Sequence, residues 1–347
     1  MQMRELNEYP QPAVLAAGEK ILAVNEKAAA LFRNLEEGGE LPGILLSMQG
    51  SWEGSVTFEG RLYRIAATVR EEQTLYLIQP VEQQAMGEGQ LDGALYQMRS
   101  LMGEFRRELA PYAAGERERF AAEDMEAFTR SYYRMLRLMD HMDLMRDAAS
   151  GQLNAVRTCL DLDRLCAMTA MECGGLLGEI GIGVEYEGPG SVVYVAGDGE
   201  KLRDALLELI SNCARRRRNG GMLKLSLSCK GKWARICVTD DGAAPTAREK
   251  LGLTVRGTMP LIPAPDGGAG LGLSAAEVIV RHHGGALMVS AGEGAPRVYL
   301  ALPVASRSGE GLSLNSPGPE RNAGMNPYLI ALSDVLPGEM IREDWKE

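Results

Sequence analysis

Several features are scarce in this chain of 347 residues, and their absence narrows the class of protein. No stretch of about 18 residues is uninterruptedly apolar, so we expect no membrane span. The first residues, MQMRELNEYP, lack a basic segment followed by a hydrophobic core, so a signal peptide is not expected. These absences predict a cytoplasmic protein.

An excess of basic residues is also missing. The formal net charge is -10 at pH 7, which argues against a general nucleic-acid binder and against an acidic membrane surface as partner. Apolar residues make up 45% and charged residues 24%, which is usual for a globular protein. The length predicts two or three compact units.

The six cysteines form no C-x-x-C pair, and most have apolar neighbours. We interpret them as reduced core thiols. Cys159, Cys166 and Cys173 fall seven residues apart, which predicts a stack on one helix face. Packing explains this spacing better than metal binding does.

The N-terminal eighty residues mix strand patterns with one short helix. AVLAAGEKILAVN predicts two strands, EKAAALF a helix, and SVTFEGRLYRIAATV a hairpin around Glu59 and Gly60, with a further strand from Thr74 to Ile78. This order and the phrase GEKILAVNEKAAALF resemble a PAS sensor domain. A generic α+β module is the alternative.

From Gln90 to Gln152 the pattern indicates two long amphipathic helices separated by Pro111 and AAGERER. Apolar residues recur at spacings of three and four, at Leu95, Met98, Met102, Phe105 and Leu109 in the first helix and at Phe128, Tyr132, Met135, Met139 and Met142 in the second. One hairpin cannot bury both stripes fully. We therefore predict a homodimer in which two hairpins form a four-helix bundle.

Helix and strand patterns alternate from about Asp161 to Pro303 and predict a sheet with helices on one face. The predicted elements are a strand at Val192 to Val195, a helix at Gly199 to Arg216, strands at MLKLSLSC and WARICVTD, a helix at Ala275 to His283, and strands at ALMVSA and VYLALP. The tail from Ala305 is rich in Gly, Ser, Pro and Asn until Pro327. After it, YLIALSDVL predicts a short helix that docks on the rest of the chain.

The glycine-rich stretch DGGAGLGL, from Asp266 to Leu273, precedes an apolar helix and suggests phosphate binding. A dinucleotide motif would need G-x-G-x-x-G directly after a strand, and a P-loop would need a lysine. Neither requirement is met.

Three segments resemble the ATPase domain shared by histidine kinases, gyrase, Hsp90 and MutL. LLELISNCARR, Leu206 to Arg216, resembles the asparagine box, VTDDGAAP the first glycine box, and GGAGLGL the second. The resemblance implies an α/β-sandwich ATPase that binds ATP and Mg²⁺. The RHHGGAL segment resembles the helix-to-strand junction that follows, with His283 as a structural helix-end residue.

The residue chemistry fits this resemblance. Asn212 offers an amide oxygen to Mg²⁺, and Glu208 projects with it from the same helix face. Asp240, with Gly242 beside it, can accept a hydrogen bond from the adenine amine. The backbone at Gly268, Gly270 and Gly272 can wrap the phosphates, to which Arg215 adds a charged contact. Singly, each of these residues also fits a cap, a turn or a solvated face.

The sequence departs from the histidine kinases at the phospho-acceptor. Aligning YQMRSLM with H-E-L-R-T-P-L places Tyr96 where the acceptor histidine should lie. His141, in RLMDHMD, is the one histidine in the predicted hairpin. We interpret His141 as a packing residue or as an alternative acceptor assisted by Glu208.

These patterns predict an α+β protein of four parts. A PAS-like sensor spans residues 1–84, a dimerisation hairpin 85–155, an ATP-binding domain 156–304, and a linker with a short C-terminal helix 305–347. The resemblance implies two-component signal transduction with a response regulator or partner kinase. A pseudokinase scaffold, in which ATP binding controls association without phosphoryl transfer, is the alternative.

Overall fold

A computed structural model describes residues 6–32, 35–47, 50–58, 61–80, 98–103, 106–107, 122–153, 156–217, 220–241, 271–290, 297–305 and 326–343. Its N-terminal part has the predicted order of strands and helix. The elements are β1 (Ala13–Ala17), β2 (Lys20–Val24), α1 (Glu26–Leu31), β3 (Trp52–Phe58), β4 (Arg61–Arg70) and β5 (Gln73–Pro80). Buried Asn25 caps α1 by accepting a hydrogen bond from Ala28 N at 2.9 Å.

The second predicted hairpin helix is α2 (Ala122–Ala149). Of the first predicted helix, residues 98–103 and 106–107 are helical, whereas its other positions, Pro111 and AAGERER fall outside the described residues. Met98, Leu101, Met135, Leu138 and Met142 pack in one cluster. Met139 is 48% exposed, so the predicted apolar stripe of α2 is only partly buried within this chain.

The following region contains a helix or strand at each predicted position. Its elements are β6 (Thr158–Asp161), α3 (Leu162–Gly178), β7 (Ile182–Glu187), β8 (Tyr194–Gly197), α4 (Gly199–Arg216), β9 (Gly221–Lys230), β10 (Trp233–Asp240), α5 (Gly272–His282), β11 (Ala286–Ser290) and β12 (Val298–Pro303). Strands β6 and β7 were not predicted, and β8 begins two residues later than expected. Asp198 caps α4 by accepting hydrogen bonds from Glu200 N and Lys201 N.

The predicted stack of three cysteines is wrong. Cys159 lies on β6, whereas Cys166 and Cys173 are buried on α3. Asp161 caps α3 and ends the strand, so the regular spacing crosses a boundary between two kinds of structure. All six cysteines are free thiols.

The two sheets that the sequence predicted separately form one ten-stranded sheet. Its order is β2-β1-β5-β4-β3-β11-β12-β10-β9-β7, and all neighbours are antiparallel except β7 and β9. The N-terminal strands join the rest where β3 pairs with β11, with Gly54 opposite Met288. We call this pairing the sheet junction.

Helices α3, α4 and α5 lie on one face of the sheet, as predicted, and beside the sheet junction the other face is covered as well. Leu287 and Leu300 belong to the core beneath α3, α4 and α5. Their neighbours Met288 and Ala301 belong to a second core with Ile44 and other N-terminal side chains. Because successive side chains on a strand point to opposite faces, β11 and β12 serve both cores.

The C-terminal part forms two short helices, α6 (Pro327–Leu332) and α7 (Gly338–Glu343), where one was predicted. Asn326 caps α6 through Tyr328 N at 2.9 Å. Leu329, Leu332 and Leu336 are buried in the core that includes α4. The segment contacts both α2 and α4, so the predicted docking is confirmed. None of the helices within the described ranges is long and apolar enough to cross a membrane.

Candidate functional site

Helix α4 presents the central residues of the candidate site. Glu208, Asn212 and Arg215 follow at spacings of four and three, so they share one face of this helix. Glu208 is buried and Asn212 partly buried. The opposite, apolar side of α4 packs on the sheet and holds these polar groups in place.

Glu208 is the centre of a buried charged group that reaches helix α2. Arg137 donates from Nη2 to Glu208 Oε2 at 2.5 Å and from Nε to Oε1 at 3.1 Å. His141 Nε2 lies 2.9 Å from Glu208 Oε1. The three side chains are each less than a tenth exposed as residues. The sequence suggested the pair Glu208 and His141, but it missed Arg137.

The charges of this group set its ionisation. Burial alone would raise the pKa of Glu208, but Arg137 and His141 outweigh burial and lower the pKa well below its ordinary value. Burial would likewise lower the pKa of Arg137, and the carboxylates of Glu208 and Asp334 reverse that effect and raise it. Glu208 is therefore a carboxylate in a charge-assisted contact.

Asn212 lies one turn beyond Glu208. Its Oδ1 accepts a hydrogen bond from Arg215 Nη2. Its Nδ2 is buried, and no partner contacts this atom within the described residues. The amide therefore retains hydrogen-bonding capacity that a bound ligand can use.

Asp240 ends strand β10, as predicted, and its side chain is 2% exposed. Arg216 Nη2 donates to its Oδ2, an ion pair that the sequence did not reveal. Cys213, three residues before Arg216 on α4, contacts the Val238 carbonyl at 3.8 Å and fixes the helix against the strand. The candidate adenine carboxylate is thus buried and held by an arginine.

Gly272 is the first residue of α5, and it closes the site from the other side. A Cβ added there would overlap the Glu208 carboxylate, so a side chain at this position is incompatible with the observed contact. Gly242, Gly268 and Gly270 fall outside the described residues. Their phosphate-binding roles stay predictions.

A second carboxylate that the sequence did not suggest completes the charged group. Asp334, just after α6, accepts hydrogen bonds from Arg134 at 2.7 Å and from Arg137 at 3.0 Å. Its Oδ2 lies 3.8 Å from Arg215 Nη1. The spacing of Arg134, Arg137 and His141 on α2 is the only sequence signal for this face. Because these residues are polar, the apolar pattern of α2 did not indicate that this face is buried.

An open cavity of about 190 Å³ lies beside this group, between α2, α4, α5 and α6. Its lining includes His141 and Glu208 together with Lys201, Asp204 and Ile279. A small solute in this cavity can therefore reach the side chains of His141 and Glu208.

His283 forms the end of α5, as predicted. Its Nδ1 lies 2.7 Å from the Ile279 carbonyl, and its Nε2 accepts a hydrogen bond from Asp198 N at 2.9 Å. Burial lowers the pKa of this imidazole, and the two contacts suit its neutral form. Gly284 follows with φ of 75° and turns the chain into β11.

The residues present fit a nucleotide with Mg²⁺. The buried Nδ2 of Asn212 can donate to a phosphate oxygen, its Oδ1 can ligate Mg²⁺ once Arg215 releases it, and Arg215 supplies positive charge. The charged groups of the site already pair with one another, so a nucleotide must redirect Arg215 and Arg216 from their partners in this arrangement.

Comparison with known proteins places this site in a family. Residues 197–306 match the family described as histidine kinase-, DNA gyrase B- and HSP90-like ATPase. Adaptive-response sensory kinase SasA of Prochlorococcus marinus (strain MIT 9303) is 28% identical over 154 residues, which are 44% of this chain and 42% of that protein. SasA of Prochlorococcus marinus subsp. pastoris (strain CCMP1986 / NIES-2087 / MED4) is 30% identical over 139 residues, 39% of this chain and 37% of that protein.

Two solved structures of histidine kinases are similar to part of this chain. Acinetobacter baumannii histidine kinase AdeS has a TM-score of 0.49 at 16% identity and covers 61% of this chain and 98% of its own. Histidine kinase ThkA in complex with response regulator protein TrrA has a TM-score of 0.45 at 14% identity, over 88% of this chain and 99% of its own.

The region from 197 to 306 is thus an ATPase domain of the histidine kinase type. Through this domain the chain is similar to sensory kinases of the histidine kinase type. The matched region spans less than half the length of those relatives.

Proposed function

We propose that this protein binds ATP with Mg²⁺ and uses the nucleotide in two-component signal transduction. The observation that carries the proposal is the shared face of Glu208, Asn212 and Arg215, which lies beside Gly272 inside the matched ATPase domain. Buried Asp240 at the end of β10 supports the same reading.

Each residue has a chemical role in this proposal. Asn212 holds Mg²⁺ through its amide oxygen, and Arg215 contacts a phosphate. Asp240 accepts a hydrogen bond from the adenine amine, which favours adenine over guanine. Backbone N–H groups near Gly272 and in the predicted loops at Gly242, Gly268 and Gly270 face the phosphates. ATP supplies a γ-phosphoryl group to the site.

The pair of His141 and Glu208 supports phosphoryl transfer with a displaced acceptor. When His141 donates its Nε2 proton to the carboxylate at 2.9 Å, Glu208 holds the imidazole in one tautomer and one orientation. Such a pairing orients a nucleophile and accepts its proton. His141 is therefore the candidate acceptor, with Glu208 as its base.

A different observation favours the pseudokinase. The expected acceptor position carries Tyr96, and His141 is 9% exposed and engaged with Glu208. A buried, paired imidazole must be released before it reaches an incoming phosphate in line. In this alternative the nucleotide changes the contact between α2 and α4, and that change controls partner association.

Incubation with Mg²⁺ and γ-labelled ATP distinguishes the two functions. We expect wild type and the control His282→Gln to retain an acid-labile label, and His141→Gln and Asn212→Ala to lose it. The control replaces another histidine, which lies at the far end of α5. Glu208→Gln should slow labelling, because the imidazole loses its base.

Two outcomes contradict parts of this proposal. Saturable binding of ATP that needs Asn212, without any label, would establish the pseudokinase instead. A wild-type protein that binds no Mg²⁺-ATP would refute both functions. Binding is measured by isothermal titration on the same preparations, so that loss of label is not confused with loss of affinity.

The remaining parts of the proposal concern signal and partners. We propose that the N-terminal module is a PAS-like sensor, that the hairpin forms a homodimer, and that a response regulator is the partner. Met102, 59% exposed, and Met139, 48% exposed, support a dimer because a second hairpin would bury them. Static light scattering should give twice the chain mass, and Met139→Glu should lower it towards one chain.

A further inference from the structure

Three arginines from two parts of the chain converge on one carboxylate. Arg134 and Arg137 extend from α2, Arg215 extends from α4, and all three meet Asp334 at distances of 2.7, 3.0 and 3.8 Å. The Asp334 side chain is 7% exposed and that of Arg137 9%. We call these three arginines the arginine cluster.

The arginine cluster needs an anion at its centre. Burial lowers the pKa of Arg215, and the neighbouring charge of Arg137 lowers it further, whereas Asp334 acts in the opposite direction. Without an anion, three partly desolvated guanidinium groups would repel one another. The geometry therefore holds a negative group at the position that Asp334 occupies.

The charge of the cluster suits an anion with more than one negative charge. Three guanidinium groups face two carboxylates, those of Glu208 and Asp334. One positive charge within this group is thus not balanced by a carboxylate of the group. A phosphoryl group in place of Asp334 supplies two charges and several acceptor oxygens, which planar guanidinium groups bind well.

Asp334 belongs to a segment that is separate in sequence from the helices it bridges. Residues 326–343 follow the ATPase domain and dock by burying Leu329, Leu332 and Ile341. The anion at the cluster is thus supplied by an appended segment of the same chain. A carboxylate held in this way can be exchanged for a ligand without unfolding α2 or α4.

We propose that Arg134, Arg137 and Arg215 form a phosphoryl-binding site that Asp334 fills in the closed chain. Its ligand is a phosphate dianion, either free or as the terminal phosphoryl group of Mg²⁺-ATP. The second source rests on the proposed nucleotide binding, whereas the site itself does not. Binding of the ligand displaces Asp334 and loosens residues 326–343 from α2 and α4.

Chemical rescue tests the site with inorganic phosphate as the probe. Asp334→Ala should lower the melting temperature by about 5 °C, because it leaves buried arginines without their counter-ion. Millimolar phosphate should restore most of this loss. The matched control is Asp147→Ala on α2, which removes an exposed carboxylate that pairs with the neighbouring Arg146. Phosphate should leave wild type and this control almost unchanged.

Equal stabilisation of all three proteins by phosphate would overturn the proposal, and so would an absence of rescue in Asp334→Ala. If that variant does not fold, Asp334→Asn keeps the volume of the side chain and removes the charge. Phosphate should then raise the melting temperature of Asp334→Asn more than that of wild type. A smaller or equal shift would again refute the site.

The source of the phosphoryl group is resolved by titrating Asp334→Asn with Mg²⁺-ATP and Mg²⁺-ADP. If Asp334→Asn binds ATP roughly tenfold more tightly than wild type does, with little change for ADP, the ligand is the terminal phosphoryl group of ATP. Unchanged affinity for both nucleotides, together with phosphate rescue, identifies free phosphate. If neither wild type nor Asp334→Asn binds nucleotide, the proposed function is refuted. The phosphate rescue experiment then still tests whether the arginine cluster binds a phosphoryl group.

Discussion

Two junctions attach other parts of the chain to the ATPase domain, and they differ in chemistry. The sheet junction joins β3 to β11 through backbone hydrogen bonds and an apolar core. The second, which we call the charged junction, joins α2 and residues 326–343 to α4 through Glu208, Asp334 and the arginine cluster. One depends on shape, and the other depends on charge.

This difference assigns different tasks to the two junctions. Backbone pairing and apolar burial do not respond to a phosphate or to protonation, so the sheet junction is suited to a fixed connection. Buried ion pairs cost desolvation energy, which leaves little net stability and makes their balance sensitive to a competing charge. We therefore expect the charged junction, rather than the sheet junction, to change when a charged ligand binds.

The largest effect should follow from removing the charge of Glu208. Glu208→Gln leaves Arg137 and His141 without their carboxylate, and we expect a loss of about 3–5 kcal/mol in the free energy of unfolding. Urea unfolding followed by circular dichroism measures it. The double variant Glu208→Gln with Arg137→Met should recover part of the loss. No recovery would show that the pair is not the source of the effect.

A smaller effect is expected at the sheet junction. A Cβ on Gly54 would lie 2.7 Å from the Leu287 carbonyl oxygen and 2.9 Å from Met288 Cα, so Gly54→Ala must separate the strands. We expect a destabilisation of about 1–3 kcal/mol. Gly175→Ala is the matched control, because nothing lies within 4 Å of a Cβ there. Equal unfolding midpoints for both variants would contradict the close approach of β3 to β11 at Gly54.

The two junctions should also differ in how their contribution to stability depends on pH. The folded-state pKa of Glu208 lies below its ordinary value of 4.5, so its stabilisation is complete above that value and declines as the pH falls through the folded pKa. The stability difference between wild type and Glu208→Gln should therefore be constant near neutral pH and shrink below pH 4.5. Urea titrations at a series of pH values test this, with the Gly54→Ala difference as the pH-independent reference.

The smallest effect is spectroscopic. Trp52 is 1% exposed at the sheet junction, and Trp233 packs against the same core. Trp345 lies outside the described residues, and Trp345→Phe removes its signal from the measurement. In that background Gly54→Ala should shift tryptophan emission to the red, whereas Asp334→Asn should leave it unchanged. A shift caused by Asp334→Asn would show that the two junctions are coupled.

Local signals in the sequence predicted much of the ATPase region. The bounds of α4 and β10 agree with prediction, because an aspartate caps the helix and apolar residues alternate regularly along the strand. Of the motif residues, Asn212 lies one turn from Glu208 on α4, and Gly272 lies against the Glu208 carboxylate. Domain boundaries and ligand roles stay predictions.

The junctions could not be predicted in the same way. Pairing of β3 with β11 depends on which strand edges meet, and no periodicity within either strand specifies a distant partner. The buried face of α2 includes Arg137 and His141, which periodicity assigns to solvent. These polar residues are buried because Glu208, far away in sequence, contacts both of them with its carboxylate.

The pairing of β3 with β11 also governs the order in which the chain can fold during synthesis. Residues 52–58 leave the ribosome long before residues 286–290 exist, so β3 has an unpaired edge for most of translation. Such an edge attracts strands of other nascent chains. The edge of β3 is therefore paired only after β11 has been synthesised. A ribosome-bound chain that ends before β11 should depend on chaperones.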